Sequence, residues 1–240
     1  SDVYKRQAVV SIHDCALTFR ELLMADNVVR RRMMVDNQIR PSDVTKFPII
    51  EAFLSIKREA FVPSENRDTA YVGEHIRIGN DRVILDPRTL AKMLDLVDVN
   101  DSELVLDVGS AFGYSAAIIA HLAEAVVALE SEDKPANEMQ TALIEHDIDN
   151  VIVERGPLHQ GAPSHAPYDV IFIQGGIELV TDKILSQLKD GGRMVAIFME
   201  GPLGRVKIGY KLNNEISWRF GFNAAAPVLD CFRKELTFTL

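Results

Sequence analysis

The sequence predicts an α/β fold: a doubly wound, mostly parallel sheet with an antiparallel edge, preceded by a helical segment. Three observations predict it. From Thr89 onward, short apolar runs alternate with stretches of helical periodicity. Those runs are near-continuously apolar, as expected of strands whose two faces are both covered by helices. The tail, by contrast, reads as strands without helices between them, which adds antiparallel pairing at one edge.

The elements follow in chain order. "FRELLMADNVVRRRMMVDNQI" repeats apolar residues every three and four positions and reads as an amphipathic helix. "FPIIEAFLSIKREAFV" reads as a second helix, ended near Pro63. Ser64–Pro87 is polar and irregular apart from "EHIRIG". The alternation then begins: "TLAKMLDLV" is helical, "ELVLDVG" a strand, "YSAAIIAHLA" a helix and "AVVALE" a strand. It continues with "KPANEMQTALIEHDI" as a helix, "NVIVERG" and "YDVIFIQGG" as strands, "DKILSQLKDGG" as a helix with glycine stops and "RMVAIFME" as a strand. "VKIGYKLNNEISWRFGF" and "ELTFTL" are the strands of the tail. No internal repeat or low-complexity linker interrupts the pattern.

Composition bounds the function classes. The 240 residues are 47% hydrophobic and 25% charged, which suits a globular chain with a sizeable core. A net charge of −9 argues against general nucleic-acid binding through phosphate neutralisation. The one dense basic run, Arg30–Met34, is expected on a solvated helix face. Cys15 and Cys231 form no CxxC pattern and read as reduced thiols of a cytoplasmic protein, with no metal site. No apolar run approaches the ~20 residues needed to span a bilayer, and no secretory signal pattern opens the chain. The first seven residues, "SDVYKRQ", back-translate to the end of a transposon adapter, so 1–7 is set aside as an artefact.

The chemistry concentrates in "VLDVGSAFGYSAAIIAHLAEAVVALESED", Val105–Asp133. A strand bearing Asp107 opens into the turn Gly109-Ser110-Ala111-Phe112-Gly113 and feeds a helix, and the next strand ends on Glu130. Gly109 and Gly113 let the backbone approach a ligand and supply φ values closed to other residues, and Ala111 keeps the turn low. A nicotinamide fingerprint needs G-x-G-x-x-G and a helix N-terminus aimed at pyrophosphate. Here the spacing is G-x-A-x-G, and the anionic Asp107 would repel pyrophosphate while suiting an amine and a sulfonium. Glu130 can accept from ribose hydroxyls. The cofactor this pattern points to is S-adenosylmethionine. An acid at the end of an apolar strand also costs free energy without a partner, which a merely structural turn leaves unexplained.

From about Arg32, the chain resembles the protein-L-isoaspartate (D-aspartate) O-methyltransferase family. "MVDNQI" (Met34–Ile39), "REAFVP" (Arg58–Pro63), Ala70–Tyr71, the turn with its Gly113–Tyr114 pair, "APYDVIFIQGG" and "QLKDGGRMVA" carry the resemblance in order over about 170 residues. It implies a Rossmann-like class I methyltransferase sheet. Residues 8–88 would be an N-terminal, acceptor-side segment and 89–240 the cofactor-binding core of one compact domain. It also implies that Asp107, Gly109, Ser110, Ala111, Gly113, Tyr114, Glu130, Leu158 and Gln174 hold S-adenosyl-L-methionine, with Leu158 near the adenine and the Ile173–Gly175 strand end beside the methyl donor.

The sequence departs from the family at the acceptor. The family's Thr-Ile-Ser-x-Pro, whose serine lies at the acceptor carboxylate, is here Val83-Ile84-Leu85-Asp86-Pro87. The family's Gly-Asp-Gly before the adenine is Gly156-Pro157-Leu158. Leu85, Asp86 and Arg88 are therefore the expected acceptor-site residues. Arg82 and Arg88 either clamp a carboxylate or sit as solvated loop residues, and His75 either enters the acceptor pocket or is merely exposed. The resemblance implies carboxyl methylation of L-isoaspartyl or D-aspartyl residues in damaged proteins or peptides by a monomer. The open alternatives are a divergent methyltransferase with another acceptor and a non-catalytic cofactor-binding module.

Overall fold

The computed structural model describes residues 26–79 and 81–234. The expectations for Ser1–Gln7, Cys15 and "ELTFTL" lie outside the described residues. Helical backbone over residues 26–34 (α1) widens into a π-turn at Val35–Ile39 and tightens to a 3-10 turn at Arg40–Ser42. Arg31, expected on the solvated face, is buried.

Helix α2 (Phe47–Ser55) is shorter than its apolar pattern predicts. Ile56 is extended, and Arg58–Ala60 is a separate 3-10 turn. The physical reason is Arg58, which is fully buried: its Nε donates to Ala70 O at 2.7 Å, its Nη2 donates to Leu85 O at 2.9 Å, and its guanidinium lies 4.5 Å over the Tyr114 ring. Continuing the helix would take that side chain off two carbonyls that have no other partner among the described residues. A 3-10 stretch, Ser64–Thr69, and a two-stranded hairpin, β1 (Ile76–Arg77) and β2 (Val83–Ile84), fill the region expected to be irregular.

Helix α3 (Pro87–Val97) then opens the alternation: β3 (Leu104–Val108), α4 (Tyr114–Ala120), β4 (Ala125–Glu130), α5 (Asp133–Glu145), β5 (Val151–Arg155), β6 (Tyr168–Ile177), α6 (Asp182–Gln187), β7 (Leu188–Glu200), β8 (Leu203–Leu212) and β9 (Glu215–Asn223). The seven strands lie in the order β5-β4-β3-β6-β7-β8-β9. All pairings from β5 to β7 are parallel, and β7–β8 and β8–β9 are antiparallel. Helix α6 stops at Gln187, short of the expected glycines, because Leu188 already pairs with Tyr168 of β6.

Alternate residues of the strands feed two cores. Val105, Val126, Ala128, Val170, Phe172 and Val195 pack with α2, α3, α4 and α5 on one face. Leu106, Val127, Leu129, Ile171 and Met194 pack with Ile184 of α6 and with Leu158, Leu229 and Phe232 on the other. Met34, Ile39, Phe53 and Phe61 belong to the first cluster, so the N-terminal segment shares its core with the sheet. Among the described residues, no helix is long and apolar enough to cross a membrane.

Candidate active site

The chain leaves β3 toward β4 and β5 on one side and returns to β6 on the other. Strand order therefore reverses between β3 and β6, and in an open α/β sheet the crevice beyond such strand ends is where ligands bind. Asp107, Gly109 and Glu130 all lie at that rim. The turn after β3 is fixed by Gly109 N donating to Leu129 O (2.8 Å) and Gly113 N donating to Ser110 O (2.8 Å). Gly109 and Gly113 adopt φ of +80° and +91°, and a Cβ on Gly113 would lie 2.6 Å from Met139 Cγ. Ala111 is also left-handed, at φ 54°, a conformation uncommon outside glycine.

Asp107 is fully buried. It accepts from Ser115 Oγ at 2.6 Å and from Gln174 Nε2 at 2.7 Å, and Ser110 Oγ donates to its carbonyl at 2.7 Å. Burial pushes its pKa up, with these bonds opposing. Tyr114, buried at the first turn of α4, has its phenol pushed up to about 12 by burial, against the opposing charge of Arg58.

Glu130 is equally buried but more fully bound. Its Oε2 accepts from Ala111 N at 2.8 Å and Arg82 Nη2 at 2.6 Å. Its Oε1 accepts from Ser131 N at 2.7 Å, Glu132 N at 3.1 Å and Arg82 Nη1 at 3.0 Å. Burial raises its pKa, but the Arg82 fork and the two amides outweigh burial and hold it below the usual carboxylate value. Arg82 comes from the β1–β2 hairpin; its Nη2 also lies 3.5 Å from Gly109 O, and its buried Nε has no partner among the described residues.

Two cavities flank this centre. One of about 400 Å³ lies beside Glu130, lined by Arg82, Glu132, Leu158, His159, Asp230 and Cys231. The other, of about 10 Å³, is enclosed by Val83, Leu85, Leu90, Tyr114, Ser115 and Gln174 and has room for no more than one water. The donor set suits an adenosylated sulfonium: a diol acceptor in Glu130, an anion in Asp107 and an apolar wall in Leu158. The larger cavity offers room for the nucleoside end. At the other end, Leu85 (2% exposed) closes the space, so the β1–β2 hairpin must move to admit a whole cofactor.

The remaining expected residues fall elsewhere. Asp86 is the N-cap of α3, its Oδ1 accepting from Thr89 N at 2.9 Å, and its carboxylate is turned to the cap and to His75 rather than to the turn. Arg88 is exposed on the first turn of α3 and lines neither cavity. His75 accepts from Asp86 N at 2.9 Å, and its Nε2 donates to Ala225 O at 2.9 Å, which locks it beside the hairpin. Sequence reasoning missed Ser115, although a hydroxyl eight residues past the strand acid, just inside the following helix, was a signal. It also missed the Arg82–Glu130 pair.

The comparisons with known proteins point to one family. The family model for protein-L-isoaspartate (D-aspartate) O-methyltransferase matches residues 29–214. Protein-L-isoaspartate O-methyltransferase 2 of Anaeromyxobacter sp. (strain Fw109-5) is 35% identical over 178 residues, covering 74% of this chain and 72% of that protein. Protein-L-isoaspartate O-methyltransferase 1 of Rhodopseudomonas palustris (strain HaA2) is 34% identical over 166 residues, covering 69% and 68%. Among solved structures, a Plasmodium falciparum β-aspartate methyltransferase in complex with S-adenosyl-L-homocysteine superposes with a TM-score of 0.71 at 16% identity, covering 84% of this chain and 98% of that one; this likeness speaks to the fold alone. With two acids and a glycine turn at the strand reversal, and with the family match running from α1 to the β8–β9 turn, the chain belongs to the protein-L-isoaspartate (D-aspartate) O-methyltransferase family.

Proposed function

We propose that this chain is a carboxyl methyltransferase that moves a methyl group from S-adenosyl-L-methionine to L-isoaspartyl or D-aspartyl residues of damaged proteins and peptides. The observation that carries the reading is the placement of buried Asp107 and Glu130 at neighbouring strand ends around the turn, in a member of this family. In this reading Glu130 accepts from the ribose hydroxyls, Asp107 faces the amino-acid end with Ser115 and Gln174 orienting it, and Leu158 walls the adenine. Gly109, Ser110, Ala111 and Gly113 bring backbone close to the ligand, and Tyr114 backs the acceptor pocket. When bound, the cofactor supplies an electrophilic methyl group on sulfur.

The acceptor carboxylate is already ionised at neutral pH, so the chain need supply no general base. Its task is alignment for in-line attack and exclusion of water. Val83, Leu85 and Leu90 form a dry wall suited to stripping water from an anionic nucleophile, at the cost of the hydroxyl that the family places at Leu85. The ester then closes to a succinimide as the backbone nitrogen displaces methanol, and hydrolysis of the succinimide regenerates some aspartate. The same reading makes the protein a cytoplasmic monomer. The apolar wall favours one second reading, in which the acceptor is less polar than an isoaspartyl peptide.

The test is incorporation of radiolabelled methyl into an isoaspartyl peptide beside its normal aspartyl twin. Transfer to the first and not the second is expected. Cofactor binding with no transfer to several isoaspartyl sequences would move the assignment to a different acceptor.

A further inference from the structure

The proposed function needs a positive group at the acceptor carboxylate, and the apolar pocket at Val83–Leu85 provides none. Among the described residues, Arg82 is the one Lys or Arg lining either cavity. It immediately precedes β2, whose last residue, Ile84, borders Leu85. Yet its guanidinium is committed elsewhere: both terminal nitrogens bond the two oxygens of Glu130, at 3.0 Å and 2.6 Å, with only 12% of the Arg82 side chain exposed. Glu130's oxygens also hold the amides of Ala111, Ser131 and Glu132. A ligand diol therefore finds the carboxylate full unless Arg82 leaves.

We propose that Arg82 is the acceptor-binding residue of this enzyme, held on Glu130 until the cofactor ribose displaces it. The inference rests on the proposed function and adds to it a residue and an order of binding. Two ribose hydroxyls donate to the two carboxylate oxygens, replacing the two guanidinium donors. The exchange puts a two-pronged neutral donor in place of a charged one, so each carboxylate oxygen keeps a donor while the ion pair is given up. Arg82 has a second carboxylate within reach: Glu132 Oε1, on an exposed side chain, is 3.8 Å from Nη1, and among the described residues its Nε has no partner. Its Nη2 lies 3.5 Å from Gly109 O, and Gly109 lines the enclosed cavity with Val83 and Leu85, so a swing of the hairpin would carry the charge to the mouth of the acceptor pocket. The cation for an incoming carboxylate is thus available only in the cofactor-loaded enzyme, and the acceptor binds second.

Two affinities measured on the wild type, Arg82→Met and Arg82→Lys test this. S-adenosylhomocysteine binding is read by calorimetry, and binding of a fluorescent isoaspartyl peptide by anisotropy, with and without saturating S-adenosylhomocysteine. For Arg82→Met, the cofactor product is expected to bind about tenfold tighter, because its resident competitor is gone. The peptide should bind the loaded enzyme about tenfold or more weaker, the worth of one charge-assisted contact in each case. Arg82→Lys should lie between in both. A variant that is merely less well folded would weaken both affinities, so opposite signs identify the exchange. Weaker or unchanged S-adenosylhomocysteine binding by Arg82→Met overturns the exchange, and equal peptide affinity of the loaded wild type and variant overturns the acceptor role. A loaded wild type that binds no isoaspartyl peptide overturns the acceptor role and the proposed function together; the other two outcomes leave the proposed function standing.

Discussion

Leu85 stands where the sequence resemblance puts a serine, and its surroundings show what a leucine does there. It is 2% exposed, packed against Leu90 and Tyr114 in a space too small for a ligand, with its carbonyl held by Arg58. Leu85→Ser should therefore have two effects of opposite sign. Loss of a buried leucine is expected to cost about 3 kcal/mol of stability, seen as a lower melting temperature. A hydroxyl at the acceptor carboxylate is worth about 1.5–3 kcal/mol, or roughly ten- to a hundredfold in turnover on an isoaspartyl peptide. A folded variant with unchanged turnover would show that the acceptor does not approach this position. That Asp107 and Glu130 would be held by partners was legible in the sequence, because an acid ending an apolar strand must have one. The partner of Glu130 was not, since Arg82 is 48 residues away and reaches it only through the hairpin's placement over the sheet. Asp86 was open to a better reading: Asp-Pro-x-Thr, an N-cap followed by proline at the first helical position, is a helix start.

At the scale of elements, periodicity located helices better than it ended them. Helices α2 and α6 both stop before their apolar pattern does, in each case because a tertiary partner takes the next residues: Arg58 is drawn to two carbonyls, and Leu188 is drawn into the sheet. A similar arginine ties the end of α3. Arg193 of β7 donates to the carbonyls of Val97 and Asp98 and grips Glu103 at 2.7 and 2.9 Å, with both side chains about one-seventh exposed (13% and 15%). Burial works to raise the Glu103 pKa, and the Arg193 bonds outweigh burial and bring it below its ordinary 4.5. A carboxylate depressed in the fold stabilises it above the unfolded value and loses that contribution as pH falls through the folded one. Arg193→Met is therefore expected to lose about 2–3 kcal/mol near pH 7, and the deficit should narrow as pH falls below about 4.5. Denaturant midpoints at a series of pH values measure both, and a deficit independent of pH would remove Glu103 from the account.

Over the whole molecule, alternation of apolar runs and helical stretches was enough to foresee the parallel half of the sheet, because βαβ crossovers leave little topological choice. The sequence did not show how the hairpin closes over the rim, since β1 and β2 have only two residues each and no periodicity to read. The antiparallel third of the sheet has a different character. β7, β8 and β9 are joined by two-residue turns, and Asn213 and Asn214 both adopt positive φ, 53° and 64°, as a type I′ hairpin turn requires. The pairing of β3 with β6, at the centre of the candidate site, joins Val105 to Val170 across a far longer stretch of chain. The consequence is one of timing. Hairpins close in microseconds, whereas distant strands wait on the closure of large loops. The C-terminal ribbon should thus assemble early and offer its inner edge, β7, as the template on which β6 and then β3 add. Replacing Asn214 with Val, which resists positive φ, is expected to slow refolding in proportion to the stability lost while hardly changing the unfolding rate. Stopped-flow refolding would show it, and a variant that instead unfolds faster at an unchanged refolding rate would place the ribbon late. The candidate cofactor rim would then be the last part of the sheet to close, and the chain would meet its ligand only after the antiparallel end of the sheet has formed.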